Sequence, residues 1–291
     1  MSNGPPFALD CTSPPFDELR SIRRLAAERS GHASSEHARH QLYVAHDKRS
    51  RTNVLIKVTT KPGVVYEHDL LNEIAILSTI NQRLPDSRHF PVLGAHGRLR
   101  DGRIYLIMSL FDEWPLATSL SHERVPARDV AHLRTAIEVA NALGELHTLP
   151  IWHVDLNPMN IMSRWQGDRP VIRLVDFESS YDVARHGKGV FYSPPTTSGY
   201  SAPELASRAP DGRADVFSLA AVLYTMLVGF GSRWAADVNR SVREDSACAP
   251  DLKAILLTAL DAEPEKRYAS MAEFRSALAS YLEQIWPGRV W

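Results

Sequence analysis

The sequence predicts an α+β fold in two lobes, a small β-rich N-terminal lobe with one helix and a larger helical C-terminal lobe. Three observations predict it. Before residue 111, apolar residues alternate in short runs, the pattern of half-buried strands. One stretch of helical period, 66–81, interrupts those runs. After Phe111 the dominant apolar spacing is helical. With 291 residues, 44% of them hydrophobic, the chain is long enough to bury a sizeable core.

The elements follow in chain order. Residues 1–34, rich in Pro, Ser and Arg, form an N-terminal extension. There Leu19, Ile22 and Leu25 fall three apart after Ser13 and Pro14, which suits a helix start. The same piece also reads as the run into a first strand, and both readings stand. The N-terminal lobe is placed at 35–111. Leu42 and Val44, then Val54, Ile56 and Val58, predict two strands around a polar turn at 47–53. Leu70, Ile74 and Leu77 share one face of the helix at 66–81. Strand-like runs follow at 92–99 and 104–110, joined by the turn Arg100-Asp101-Gly102-Arg103. The C-terminal lobe is placed at 112–291. Val130, Leu133, Ile137 and Ala140 have helical spacing, and apolar helical text returns at 215–230, 250–261 and 270–286.

Composition removes several classes of function. Lys plus Arg is 33 and Asp plus Glu is 34, so nothing general draws the chain to nucleic acid or to an anionic membrane. The two cysteines, Cys11 and Cys248, lie near opposite ends without a CxxC pattern, which argues against a disulfide framework or a zinc site. The first eleven residues lack a basic start followed by an apolar core, as a secretory signal would have. The most apolar run, 216–230, is shorter than the ~20 residues of a spanning helix and contains Ser218, Tyr224 and Thr225, so it reads as a buried core helix. The expected location is the cytoplasm.

The sharpest chemical segment is His153-Val154-Asp155-Leu156-Asn157-Pro158-Met159-Asn160-Ile161-Met162. Phosphoryl transfer to a hydroxyl needs an oxygen base to orient that hydroxyl, and oxygen ligands for the Mg²⁺ that bridges the phosphates. Asp155 suits the first task; Asn160 suits the second through its side-chain carbonyl. Asp176 ends the apolar run Leu174-Val175, a rigid position for a metal carboxylate.

These segments resemble the protein-kinase family over about residues 35–285. The stretch from His153 resembles the H-R-D-L-x-x-x-N loop, and Asp176-Phe177-Glu178 resembles D-F-G with its glycine changed. Ala202-Pro203-Glu204 matches A-P-E. Val54-Leu55-Ile56-Lys57 resembles V-A-I-K, and Glu73 suits the helix glutamate that pairs with that lysine. Asp215-Val216-Phe217-Ser218-Leu219 resembles the buried helix whose aspartate braces the catalytic loop. Pro264-Glu265-Lys266-Arg267-Tyr268 resembles the late motif whose arginine pairs with the A-P-E glutamate. The resemblance implies the two-lobed protein-kinase-like fold. It implies Mg²⁺ and ATP as cofactors, with Asp155 as base, Asn160 and Asp176 as Mg²⁺ ligands, and Lys57 paired with Glu73 on the phosphates. Met108 would back the adenine pocket, and the backbone from Ser109 to Phe111 would meet the adenine edge. His153 would pack in the core.

The departures from the family pattern are specific. The glycine-rich loop is missing: its glycine positions fall on Ser35, His37 and His40, so close backbone cover of the phosphates is lost or made differently. Leu55 replaces a small alanine at the adenine. Val154 replaces the arginine that grips an activation-segment phosphate, which argues against control by such a phosphate on Thr196, Thr197 or Ser198. Asn157 replaces a lysine, and Glu178 adds a carboxylate beside Asp176, either as a third metal ligand or as an outward-pointing acid. Aminoglycoside and choline kinases share the H-x-D-x-x-x-x-N form, which keeps a small-molecule kinase open as an alternative. A nucleotide-optional scaffold is a second. Thr197-Ser198-Gly199-Tyr200-Ser201-Ala202-Pro203-Glu204 resembles the T-x-x-Y-x-A-P-E platform for a peptide hydroxyl and favours a bacterial-type Ser/Thr protein kinase acting on a protein substrate.

Overall fold

The structure, a computed structural model, describes residues 15–25, 39–121, 123–187, 192, 199–229 and 237–287. Ser35, His37, Thr196, Thr197 and Ser198, which carry expectations above, lie outside the described residues, as do Cys11 and Phe230. The chain divides into two compact units. The first takes the described residues up to Ile74 together with Pro91–Leu110; the second takes Ala75–Phe90 and the described residues from Phe111 onward.

The first unit is built on a five-stranded antiparallel sheet of order β1-β2-β3-β5-β4. Its strands are β1 (Leu19–Arg24), β2 (His40–Asp47), β3 (Asn53–Thr59), β4 (Leu93–Arg98) and β5 (Ile104–Ser109). The choice left open for residues 19–25 falls to the strand. The three-residue spacing of Leu19 and Ile22 has a local cause: the β1–β2 register shifts between Arg20 and Arg23, and Ser21 takes φ +56°. A bulge of this kind adds a residue to one strand, so positions three apart return to the same face. One face of the sheet packs Tyr43, Ala45, Val54, Ile56, Val58, Tyr105 and Ile107 under Phe16 and Leu19. Phe16 meets the Tyr105 ring edge-on at 4.9 Å. The opposite face carries the cross-strand rows Leu42–Lys57–Leu106 and Val44–Leu55–Met108.

Helix α1 (Val64–Arg83) is longer than the periodicity predicts because its first turn has its own support. Glu67 accepts the Gly63 backbone N–H and forms a two-pronged ion pair with Arg98. The division between the units passes through α1, after Ile74.

In the second unit, α2 (Asp129–His147) packs against α4 (Gly212–Val228) and α7 (Met271–Ile285). Between them in sequence come α3 (Val183–His186), α5 (Val238–Glu244) and α6 (Pro250–Ala259). Every residue of α4 from Ala214 to Val228 is buried, which explains an apolar run with no polar face. Among the described residues no helix is long and apolar enough to cross a membrane. Two small sheets complete the unit. One joins β6 (Trp114–Pro115), β8 (Ile161–Gln166) and β9 (Arg169–Leu174); the other pairs β7 (Ile151–Trp152) with β10 (Tyr181–Asp182).

In the first turn of α2, burial and then the Arg128 charge pull the His132 pKa from 6.5 down to about 4. Its Nδ1 is buried without a partner among the described residues. Folded His132 therefore stays neutral where the unfolded imidazole protonates. The unfolded state binds the extra proton, and stability falls as pH drops from 6.5 toward 4. His132→Gln should flatten this loss by about 2 kcal/mol between roughly pH 7 and pH 5 in urea unfolding. Parallel pH profiles for the two proteins would contradict it.

Candidate active site

In the first unit, Lys57 sits mid-strand in β3 and Glu73 three turns into α1. The Lys57 Nζ donates to Glu73 Oε2 at 2.8 Å, with side-chain exposures of 7% and 0%. Strand alternation sets Lys57 on the sheet face it shares with Leu55 and Met108, and Met108 pairs directly across from Leu55. The C-terminal end of β5 is committed by hydrogen bonds: Ser109 exchanges bonds with Val92, and the Leu110 N–H reaches the Asn53 carbonyl at 3.3 Å.

In the second unit, the loop after β7 is locked from within. The Asp155 N–H reaches the His153 carbonyl at 2.8 Å, closing a three-residue turn about Val154. Val154 stands at φ +56°, a left-handed conformation that is strained for a β-branched residue. Two amides then converge on the Asp155 carbonyl oxygen, Asn157 Nδ2 at 3.0 Å and Asn160 Nδ2 at 2.9 Å. Asn160 Nδ2 also lies 3.3 Å from Asp155 Oδ2. Asn157 spends its other end on the Met159 N–H, so the residue in place of lysine is a loop brace. With its amide nitrogen used this way, Asn160 keeps its carbonyl oxygen as an acceptor, the atom a hard cation takes.

The metal-type aspartate is carried next to this loop by backbone bonds. The Val175 N–H donates to the Asn160 carbonyl at 3.0 Å. Burial pushes the His153 pKa down, and the neutral ring donates Nε2–H to the Val175 carbonyl at 3.2 Å. Asp176 turns the chain at φ +66°, which aspartate tolerates better than most residues. Phe177 then enters the core, its ring 5.1 Å from His153 and 6.0 Å from Phe90. Asp176 and Glu178 stay half-buried, with carboxylate oxygens within 4.8 Å of each other. Phe111, also in this unit, lies under the Arg173 guanidinium at 5.2 Å.

Asp215, wholly buried at the start of α4, holds the strained turn. Its Oδ1 accepts the Val154 N–H at 2.8 Å; its Oδ2 accepts the His153 N–H at 2.9 Å and bonds His147 Nε2 at 2.8 Å. Gly212 makes room for this approach: a Cβ there would stand 3.2 Å from the His147 ring and 3.3 Å from Trp152. Further along, Glu204 and Arg267 form a bidentate pair at 2.7 and 2.8 Å, and Tyr200 is tied to α4 through Thr225 and Ser218.

Sequence reasoning missed His147, because a histidine in the last turn of a helix carries no motif. It also missed the backbone strain at Val154, which no residue type announces. The β8–β9 hairpin did have a signal, the Gly167-Asp168 pair between two short apolar runs.

A family-wide sequence profile described as the protein kinase domain matches residues 40–284. Serine/threonine-protein kinase Pkn1 of Myxococcus xanthus is 32% identical over 194 residues, covering 60% of this chain and 27% of Pkn1. Serine/threonine-protein kinase PknB of Mycobacterium tuberculosis is 30% identical over 189 residues, covering 60% of this chain and 30% of PknB. The chain thus spans less than a third of the length of these relatives. The crystal structure of the Mycobacterium tuberculosis PknI kinase domain aligns with a TM-score of 0.61 at 22% identity, over 91% of this chain and 96% of that one, which shows a shared fold.

Asp215→Asn replaces one acceptor oxygen by an amide that faces a backbone N–H. We expect a loss of about 2–4 kcal/mol of stability in urea unfolding, because two N–H groups and a ring lose a charged acceptor in a dry site. An unchanged midpoint would show that the turn does not depend on this carboxylate.

Proposed function

The chain belongs to the protein kinase family, and from that premise we propose that it transfers the terminal phosphoryl group of Mg²⁺-ATP to serine or threonine hydroxyls of a protein. The observation that carries this reading is the locked Asp155, whose main chain is fixed by Asn157 and Asn160 while its carboxylate remains half-buried. A base that must meet an incoming hydroxyl needs this combination of a rigid backbone and an accessible oxygen. The 30–32% identity to serine/threonine kinases supports a protein hydroxyl as acceptor.

The donor set fits a hard divalent cation. Asn160 offers a carbonyl oxygen and Asp176 a carboxylate, with the Glu178 carboxylate within 4.8 Å as a third candidate. Mg²⁺ held by these residues would supply positive charge to offset the charge of the phosphates. The chain's own residues do the rest. Lys57, oriented by Glu73, holds phosphate oxygens. Met108 and Leu55 flank the base-binding side of the sheet face, and the backbone from Ser109 to Phe111 meets the adenine edge. Asp155 orients the acceptor hydroxyl and takes its proton as the new O–P bond forms and ADP leaves.

Asp155→Ala should lower transfer by several kcal/mol of transition-state stabilisation while leaving nucleotide affinity close to wild type. Asp176→Ala should lose Mg²⁺-dependent nucleotide binding together with transfer. Radiolabel transfer to a generic protein, read beside nucleotide titrations, separates the two. Unchanged turnover in Asp155→Ala would overturn the assignment of roles. Transfer to an aminoglycoside or choline but to no protein would replace the acceptor class.

A further inference from the structure

The small sheet of the second unit carries arginines that the phosphoryl-transfer reading does not use. Arg173 of β9 stands directly across from Met162 of β8, and Arg164 lies two residues further along β8. By strand alternation both side chains leave the same face. The other face holds Ile161, Ile172 and Leu174, all buried. The Leu174 N–H donates to the His89 carbonyl at 2.8 Å, which lays the segment after α1 alongside β9 and brings Arg88 to the same place. All of these residues belong to the second unit.

Three guanidinium groups here share one carboxylate. Arg164 Nη2 lies 3.5 Å from Glu113 Oε1, and Arg173 Nε lies 4.0 Å from Glu113 Oε2. Both contacts are long, and the buried Arg173 Nε has no hydrogen-bond partner among the described residues. Arg88 forms no ion pair among the described residues, and neither do Asp86 and Asp112, the acids that flank the cluster in sequence. Burial lowers the Arg173 pKa; Glu113 opposes that shift, and the like charges of Arg88 and Arg164 add to it. Three guanidiniums less one carboxylate leave two positive charges unbalanced.

The arrangement also says what kind of anion suits it. Arg164 and Arg173 converge on one carboxylate, so the surplus charge is concentrated at one point and not spread along a row. The Phe111 ring under the Arg173 guanidinium, at 5.2 Å, fixes its plane and leaves the edge as the direction for donated N–H groups. Guanidinium edges pair in two-pronged fashion with phosphate oxygens. A phosphate monoester brings nearly two negative charges and three acceptor oxygens on one atom, where a carboxylate brings a single charge. The surface is open: Arg88 is exposed, and the Arg164 side chain keeps 51% of its surface in solvent. Sites for free small molecules enclose most of their ligand. A phosphate presented on a protein segment needs no such enclosure, because the flanking main chain adds its own contacts.

We propose that Arg88, Arg164 and Arg173 form a docking site for a phosphorylated serine or threonine on a protein segment. The phosphate accepts N–H groups from Arg164 and from the edge of Arg173, and Arg88 adds to the attracting charge.

A short fluorescein-labelled alanine–glycine peptide with one central phosphoserine is the probe, read by anisotropy against the purified chain. It carries no free hydroxyl acceptor, so Mg²⁺-ATP can be added without turnover. Saturable binding is expected, unchanged by saturating Mg²⁺-ATP and lost when the phosphoserine is replaced by serine. Unlabelled phosphopeptide should compete at lower concentration than inorganic phosphate. Arg88→Glu with Arg164→Gln should weaken binding by about tenfold. Both side chains are exposed, so the thermal midpoint should hold. Glu113→Gln should tighten binding, because it removes the carboxylate that opposes the phosphate; a purely structural role for Glu113 gives no such gain. No saturable binding, binding indifferent to the arginine substitutions, weaker binding by Glu113→Gln, displacement by Mg²⁺-ATP, or inorganic phosphate competing as well as the phosphopeptide would each overturn the proposal. Binding is the only readout, so the result is independent of whether the chain transfers phosphate.

Discussion

One buried carboxylate organises the second unit. Asp215 is fully enclosed, and a bare charge there would carry a desolvation penalty of several kcal/mol. Three donors offset it: the N–H groups of His153 and Val154 and the ring of His147. In return, the carboxylate fixes two consecutive peptide units and so the left-handed turn at Val154. That conformation is unfavourable for valine by roughly 1–3 kcal/mol and persists where surrounding bonds over-determine it. The consequences run outward along the chain. The turn sets the direction of Asp155, Asn160 closes on its carbonyl, and Val175 hangs from Asn160 and His153 to deliver Asp176.

The first unit contains a parallel case. Lys57 and Glu73 are both buried, and a buried pair of this kind adds little net stability over an apolar pair of similar volume. Under the proposed function it has another use, since a lysine already turned and charged needs no reorganisation to meet phosphate. The substitutions that depart from the family pattern also divide cleanly by physics. Asn157 and Val154 are absorbed into structure, one as a loop brace and the other as wholly buried packing. Glu178 keeps its carboxylate close to that of Asp176, on the side where a cation would be held.

Much of this was legible in the residues. The alternation at 42–58 gave strands β2 and β3 to within a few positions: Val54, Ile56 and Val58 face the packed side of the sheet, and Leu42 and Val44 lie on the opposite side, across from Lys57 and Leu55. Leu70, Ile74 and Leu77 gave α1 through their shared face, and Val216–Val228 gave α4, since a helix buried on all sides has no polar stripe. Lys57 with Glu73, and Asp155 with Asn160, were legible as motifs, and the structure sets each pair in hydrogen-bond contact. Other features were not. The β1 strand stood open between helix and strand because a bulge at Ser21 imposes a three-residue spacing. His147 meets Asp215 across 68 positions of sequence, a contact that only tertiary packing and the missing Cβ of Gly212 create.

The account rests most heavily on the proposal that the chain binds Mg²⁺-ATP despite the lost glycines. Calorimetric titration of the purified chain with ATP, with and without Mg²⁺, tests it directly. Saturable heat that requires Mg²⁺, with an affinity weakened toward the millimolar range by the missing phosphate cover, is the predicted result. No heat and no thermal shift at millimolar Mg²⁺-ATP would contradict it and leave a protein kinase fold that serves as a scaffold.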